Sequence, residues 1–92
     1  MTYFVELTKE AEKELDAHIL AGNLIIIKRI YRLLNELTEH PKTGTGRPKQ
    51  LKYGFDGVWS RRIDNKHRML YKIEDNKITV FVISLWGHYS DK

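Results

Sequence analysis

The run Val58-Trp59-Ser60-Arg61-Arg62-Ile63-Asp64-Asn65-Lys66-His67-Arg68-Met69-Leu70-Tyr71-Lys72-Ile73 contains two stretches rich in β-branched and aromatic residues, 58–63 and 67–73. The polar triplet Asp64-Asn65-Lys66 separates them, which is the pattern of a β-hairpin. If Ile63 and His67 close that hairpin, Arg62 stands opposite Arg68 and both side chains leave the same face. Two like charges facing each other across a ladder are unfavourable unless something anionic sits between them. Long arginine side chains can diverge into water, or the pair can clamp a phosphate, which suits the guanidinium fork. The residues alone leave both readings open.

Downstream, Glu74-Asp75-Asn76-Lys77 reads as a second turn and 78–86 as a third strand, in which Phe81, Ile83 and Leu85, with Trp59 of the hairpin, have the bulk of sheet core. Upstream, Gly54-Phe55-Asp56-Gly57 is a turn and Thr43-Gly44-Thr45-Gly46-Arg47-Pro48 a loop. Before the loop, Ile26, Ile27, Ile30, Leu33, Leu34 and Leu37 recur at three- and four-residue spacing, predicting a helix over about 24–39 that His40-Pro41 closes. An earlier, weaker stripe of Ala11, Leu15 and Ile19 predicts a helix from an N-cap at Thr8 to Gly22-Asn23. Residues 2–7 read as a strand. The order β-α-α-β-β-β implies an α+β fold, two N-terminal helices packed on one face of a small antiparallel sheet.

A chain of 92 residues is the size of one domain, expected here over 1–92. With 41% hydrophobic and 30% charged residues it is neither a disordered polyelectrolyte nor a membrane protein. Its first residues lack the pattern of a signal peptide. The absence of cysteine removes thiolate catalysis, disulfides and cysteine-based zinc sites, and fits a reducing cytoplasm. His18 and His40 have no histidine partner one helical turn away, so no metal site is expected. The net charge of +4 is mild but uneven: Lys42, Arg47, Lys49, Lys52, Arg61, Arg62, Lys66, Arg68 and Lys72 face only Asp56 and Asp64 between residues 41 and 72. Such segregation is the footprint of a polyanion binder, although basic residues on a solvated face also serve solubility.

Trp59-Ser60-Arg61-Arg62-Ile63, three turn residues, and His67-Arg68-Met69-Leu70-Tyr71 together resemble the signature block of the YoeB (Txe/YoeB) toxins within the RelE/ParE superfamily. Gly44-Thr45-Gly46-Arg47-Pro48-Lys49-Gln50-Leu51-Lys52 resembles that family's loop before the sheet, and His88-Tyr89 its C-terminal His-Tyr pair. The resemblance implies a RelE-like fold and a bacterial, cytoplasmic toxin of a type II toxin–antitoxin system. Such toxins cut mRNA in the ribosomal A site and need no metal or other cofactor. The implied partners are mRNA, the ribosomal RNA around it and a Phd/YefM-like antitoxin, in a homodimer or a toxin–antitoxin hetero-oligomer, with no membrane.

Metal-free RNA cleavage uses the substrate's 2′-hydroxyl as nucleophile, so it needs a base, cations around the developing phosphorane and an acid for the 5′-oxygen. By resemblance His88 is the acid, Arg68 stabilises the transition state, Arg62 and Lys52 hold RNA phosphates, and Tyr89 orients the phosphate or stacks near it. Lys49 departs from the family, whose usual glutamate there is assigned as general base. A lysine serves as base only if its surroundings favour the neutral amine; otherwise it is one more phosphate cation. The tail Ser90-Asp91-Lys92, beyond the His-Tyr pair, is a second departure and is expected to fray. Two alternatives follow: a catalytically impaired homologue that binds ribosomes or antitoxin, and a ParE-like toxin aimed at DNA gyrase.

Overall fold

The computed structural model describes residues 2–52, 54 and 57–87. The capping residues start both helices where the sequence places them. The Thr8 hydroxyl accepts from the Ala11 N–H at 3.2 Å and opens α1 (Lys9–Ala21). Gly22, at φ 74°, closes α1 in the left-handed conformation, and the Asn23 side chain accepts from Ile26 N–H to open α2 (Leu24–Leu37). α2 stops short of residue 39 as its last turn tightens: the N–H groups of Thr38 and Glu39 reach back only three residues, to Asn35 O and Glu36 O.

Five strands, β1 (Phe4–Leu7), β2 (Lys49–Gln50), β3 (Val58–Arg62), β4 (Arg68–Glu74) and β5 (Thr79–Ser84), form one sheet in the order β1-β5-β4-β3-β2. β3, β4 and β5 make the expected antiparallel meander, and Arg62 does pair with Arg68. Two features extend the sequence reading. β2, inside a stretch read as loop, adds an antiparallel edge to β3 through Lys49↔Ser60 and Gln50↔Trp59. β1 joins β5 in parallel, Phe4↔Thr79 through Leu7↔Val82, so the sheet is mixed. Parallel neighbours need a long connection rather than a hairpin, and the chain between β1 and β5 supplies it.

The core lies between one sheet face and the helices. Ile26, Ile30, Leu33 and Leu37 of α2 and Ala11 of α1 pack with Met69, Tyr71, Val80, Val82 and Leu85. In β5 the fully buried residues are Val80 and Val82, so the expected core residues Phe81 and Ile83 alternate with them and are only half-buried, while Leu85 is buried and Trp59 packs partly against the core. The α1 stripe also shifts: Ile19 is exposed and His18, one position earlier, points inward. His18 occupies an apolar position because its Nε2 lies 2.9 Å from the Leu85 carbonyl; that oxygen can only accept, so the ring nitrogen donates.

Candidate functional site

Adjacent arginines in β3 go opposite ways because side chains alternate across a strand. Arg61 points into the core face and is fully buried. Its Nε donates to the Tyr71 hydroxyl at 3.1 Å, Nη1 to Glu36 Oε1 at 3.0 Å and Thr45 O at 3.3 Å, and Nη2 to the carbonyls of His40 and Thr43. The Tyr71 hydroxyl in turn donates to Pro41 O at 2.8 Å. Burial works to raise the Glu36 carboxyl, but the hydrogen bonds from Thr45 and the Arg61 guanidinium outweigh it and hold it below the usual carboxylate range. One cation of the basic segment therefore serves the interior, where it ties loop 40–45 to the sheet.

Arg62 points the other way and is exposed. On that face Lys49 stands opposite Ser60 and Arg62 opposite Arg68. Gly46, Arg47, Lys49, Ser60, Arg62 and Arg68 line one cleft of about 280 Å3. The loop is drawn over it by Arg62 N–H, which donates to Gly46 O at 2.6 Å. Only glycine allows this approach: Gly46 has φ 85°, and a Cβ there would lie 2.9 Å from the Arg62 carbonyl oxygen. Arg47 follows at φ 53°, a left-handed conformation uncommon for a non-glycine residue. Arg68 is half-buried, and its Nη1 donates to Asp64 O at 3.1 Å, which fixes the guanidinium beside the hairpin turn.

The structure thus gathers Lys49, Arg62 and Arg68 into one cleft. Lys52 is exposed, past the end of β2, and does not line that cleft. His88, Tyr89 and the tail 90–92 lie outside the described residues. The segment that leads to His88 is held tightly. The Glu14 carboxylate accepts from Leu85 N–H at 2.7 Å and Trp86 N–H at 3.1 Å. His67 Nδ1 accepts from Gly87 N–H at 2.8 Å, and Gly87 O accepts from Arg68 N–H at 2.9 Å. Gly87 itself has φ 73°, a left-handed bend that glycine adopts freely. Sequence reading missed Glu14 and His18 in this clamp; the available signal was the place of His18 seven residues after Ala11, on the inward face of α1.

A second, larger cleft of about 920 Å3 opens between α2, the 45–47 loop and the β3–β4 turn, sharing Gly46, Arg47 and Arg62 with the first. Arg29 and Arg32 of α2 and Lys66 of the turn add to its positive lining. Asp64 is its one carboxylate among the described residues. Burial acts to raise that group, but the N–H groups of His67 and Lys66, at 2.7 and 2.8 Å, together with nearby His67 and Arg29, hold it below the usual range. Among the described residues no cluster of three or more histidine and acidic side chains is placed to hold a metal ion. No helix among them is long and apolar enough to cross a membrane.

A family profile described as "YoeB-like toxin of bacterial type II toxin-antitoxin system" matches residues 8–89. The chain belongs to this YoeB-like toxin family. Toxin RelK of Mycobacterium tuberculosis is 39% identical over 61 residues, 66% of this chain and 72% of that protein. Toxin YoeB of Streptomyces coelicolor is 42% identical over 55 residues, 60% of this chain and 66% of that protein. Among solved structures, the YoeB/ParE toxin of Agrobacterium tumefaciens superposes with a TM-score of 0.85 at 26% identity, covering 94% of this chain and 99% of that one. YoeB of Staphylococcus aureus, solved as a dimer, gives 0.79 at 26% identity, covering 97% and 100%. The α+β class expected from element order, and the RelE-like fold that the resemblance implies, are this YoeB-like chain's fold. The matched region contains both helices, all of β2 to β5 and both clefts.

Proposed function

We propose that this YoeB-like toxin is a ribosome-dependent endoribonuclease that cuts mRNA in the A site by 2′-hydroxyl attack, without a metal, as a single domain over 1–92 in the bacterial cytoplasm. The observation that carries the reading is the facing pair Arg62 and Arg68, which shares one cleft with Arg47 and Lys49. Like charges held this close on fixed strands favour an anion between them. A dianionic phosphorane is such an anion, and a guanidinium fork matches its oxygens.

In the reaction Lys49, opposite Ser60, acts on the 2′-hydroxyl as base or supplies a further cation. Arg68 and Arg62 stabilise the charge that develops on the phosphoryl oxygens. His88 is joined to Gly87, whose carbonyl is bonded to the Arg68 N–H, and it protonates the departing 5′-oxygen, with Tyr89 orienting the phosphate. Lys52 contacts a neighbouring RNA phosphate. The products are a 2′,3′-cyclic phosphate and a free 5′-hydroxyl. Neutralisation falls to a YefM-like antitoxin, by analogy with the YoeB–YefM complex of S. aureus, which superposes with a TM-score of 0.79 at 26% identity. Charge complementarity steers an acidic antitoxin segment onto the basic face. The S. aureus dimer makes a homodimer or hetero-oligomer the matching assembly.

The deciding experiment is single-turnover cleavage on programmed ribosomes. Wild type should break mRNA within the A-site codon, Arg68→Ala and His88→Ala should abolish the breaks, and Lys49→Ala should slow them at least about tenfold. Lysine in place of the family's glutamate favours one second reading, an impaired homologue that only binds. Ribosome binding without breaks would select it, and growth arrest with gyrase damage instead of breaks would select a ParE-like target.

A further inference from the structure

The proposed chemistry occupies the smaller cleft and leaves the larger one without a role. Trp86 stands out in it. This residue lines the larger cleft and is 47% exposed, yet it is held from behind as a core residue is. Its ring lies 4.4 Å from the His18 ring at a 32° tilt and 4.9 Å from the His67 ring. Those two histidines are themselves buried and meet edge-on at 4.7 Å. Its backbone N–H is taken by Glu14, and the flanking groups Leu85 O and Gly87 N–H are taken by His18 and His67. A large apolar ring is thus fixed in orientation and left half open to solvent, beside positive charge.

The charge is lopsided. Among the described residues Arg29, Arg32, Arg47, Arg62 and Lys66 line the cleft against Asp64, and the Asp64 carboxylate accepts from two backbone N–H groups. Arg29 is anchored through Nη1 to Ile63 O at 3.2 Å. Arg47 and Arg62 line both clefts, so a strand held at the smaller one continues into the larger without leaving cationic surface. A rigid aromatic plane interleaved with cations is how proteins bind single-stranded nucleic acid with little sequence preference, since every base has a π-face.

We propose that the larger cleft is a nucleotide subsite, in which Trp86 stacks on a base of single-stranded RNA and Arg32, Arg47 and Lys66 hold the flanking phosphates. The subsite rests on the reading of this chain as an RNA-acting toxin, and it is independent of whether cleavage occurs. Because the ring is already immobilised by His18 and His67, stacking costs little conformational entropy. An acidic peptide shares the charge but offers no flat partner for the indole.

The test uses the isolated full chain and 2′-O-methyl oligoribonucleotides, which bind but cannot be cut. Tryptophan emission should be quenched on titration with a hexanucleotide, and the quench should vanish in Trp86→Phe. Trp86→Leu should weaken binding about ten- to a hundredfold, with Trp86→Phe recovering most of it. Lys66→Gln and Arg32→Gln, both exposed positions, should each flatten the slope of log affinity against log salt by about 0.7. An unquenched Trp86 at saturating RNA, or unchanged affinity in Trp86→Leu, overturns the subsite. So does a polyglutamate peptide that produces the same quench and displaces the RNA. The two readings separate cleanly: a protein that stacks RNA on Trp86 but breaks no mRNA on ribosomes keeps the subsite and loses the enzyme, and the converse result keeps the enzyme alone.

Discussion

Arg61 and Arg62 are neighbours with the same side chain, and the structure gives them opposite work, so exchanging each for lysine should produce opposite phenotypes. A lysine at 61 keeps the charge but replaces a planar fork by one ammonium. Arg61 makes contacts in several directions, to Tyr71, Glu36, Thr45, Thr43 and His40. An ammonium can satisfy the acceptors on one side only, and it strands the rest in a buried setting. Removing one partner of a buried ion pair costs about 3–5 kcal/mol; lysine recovers part of this, so about 3 kcal/mol is expected for Arg61→Lys. For a domain of this size that lowers Tm by roughly 12–24 °C. Urea and thermal unfolding followed by far-UV circular dichroism measure it. Arg62→Lys, exposed on the far face, should leave Tm within a few degrees but slow mRNA cleavage, since one point charge replaces a bidentate contact to phosphate. A cost below about 1 kcal/mol for Arg61→Lys would refute the reasoning, as would an Arg62→Lys protein that loses stability and keeps full activity.

Gly46→Ala should destabilise by about 2 kcal/mol and slow cleavage too, because the new Cβ meets the Arg62 carbonyl and the residue is left-handed; denaturant unfolding and the ribosome assay report the two effects. Arg47→Gly should hold or raise stability by up to about 1 kcal/mol, since glycine accepts φ 53° freely, while weakening RNA binding in a filter assay. Glu36 and Asp64 are both held below the ordinary carboxylate range. Their contribution is therefore complete above the unfolded-state pKa values near 4, and is lost as pH falls through the lower folded values. Unfolding free energy should drop below about pH 4.5, less steeply in Glu36→Gln. His67→Asn should retain protection of the Gly87 amide from hydrogen exchange, because Oδ1 can replace Nδ1 as acceptor, and His67→Leu should lose it, a contrast NMR exchange rates read directly.

The fold was legible where one period dominated. The α2 stripe runs at helical spacing over fourteen residues, and the β3–β4 hairpin is bounded by polar residues on both sides, so their elements and even the Arg62–Arg68 register could be read locally. β2 could not: it is two residues long, and it exists because β3 offers an open edge. The parallel pairing of β1 has no local signature either, since its partner lies near the other end of the chain. Arg61 shows the limit for the site. Charge counting included it in the basic segment, but strand parity, together with a glutamate and carbonyls arriving from α2 and the loop, draws it inside. His18 was hidden for the same reason, because its acceptor, Leu85 O, comes from another element. Arg62 and Arg68 were found together because the hairpin register sets their shared face; Lys49 was singled out by the family resemblance, and β2 brings it to the same cleft.

The parallel seam between β1 and β5 has a consequence for how such a protein is made. Synthesis delivers β1 first among the five strands and β5 last, yet β5 sits between β1 and β4 and completes the sheet only when it arrives. Closing so long a loop is entropically costly and slow. Until β5 leaves the exit tunnel, Leu85, Trp86 and Gly87 have not reached the groups of α1 and β4 that hold them. The larger cleft, which takes in Trp86, therefore forms only once β5 has docked between β1 and β4. Strand order thus makes the larger cleft, unlike the smaller one, wait for the last strand of the sheet.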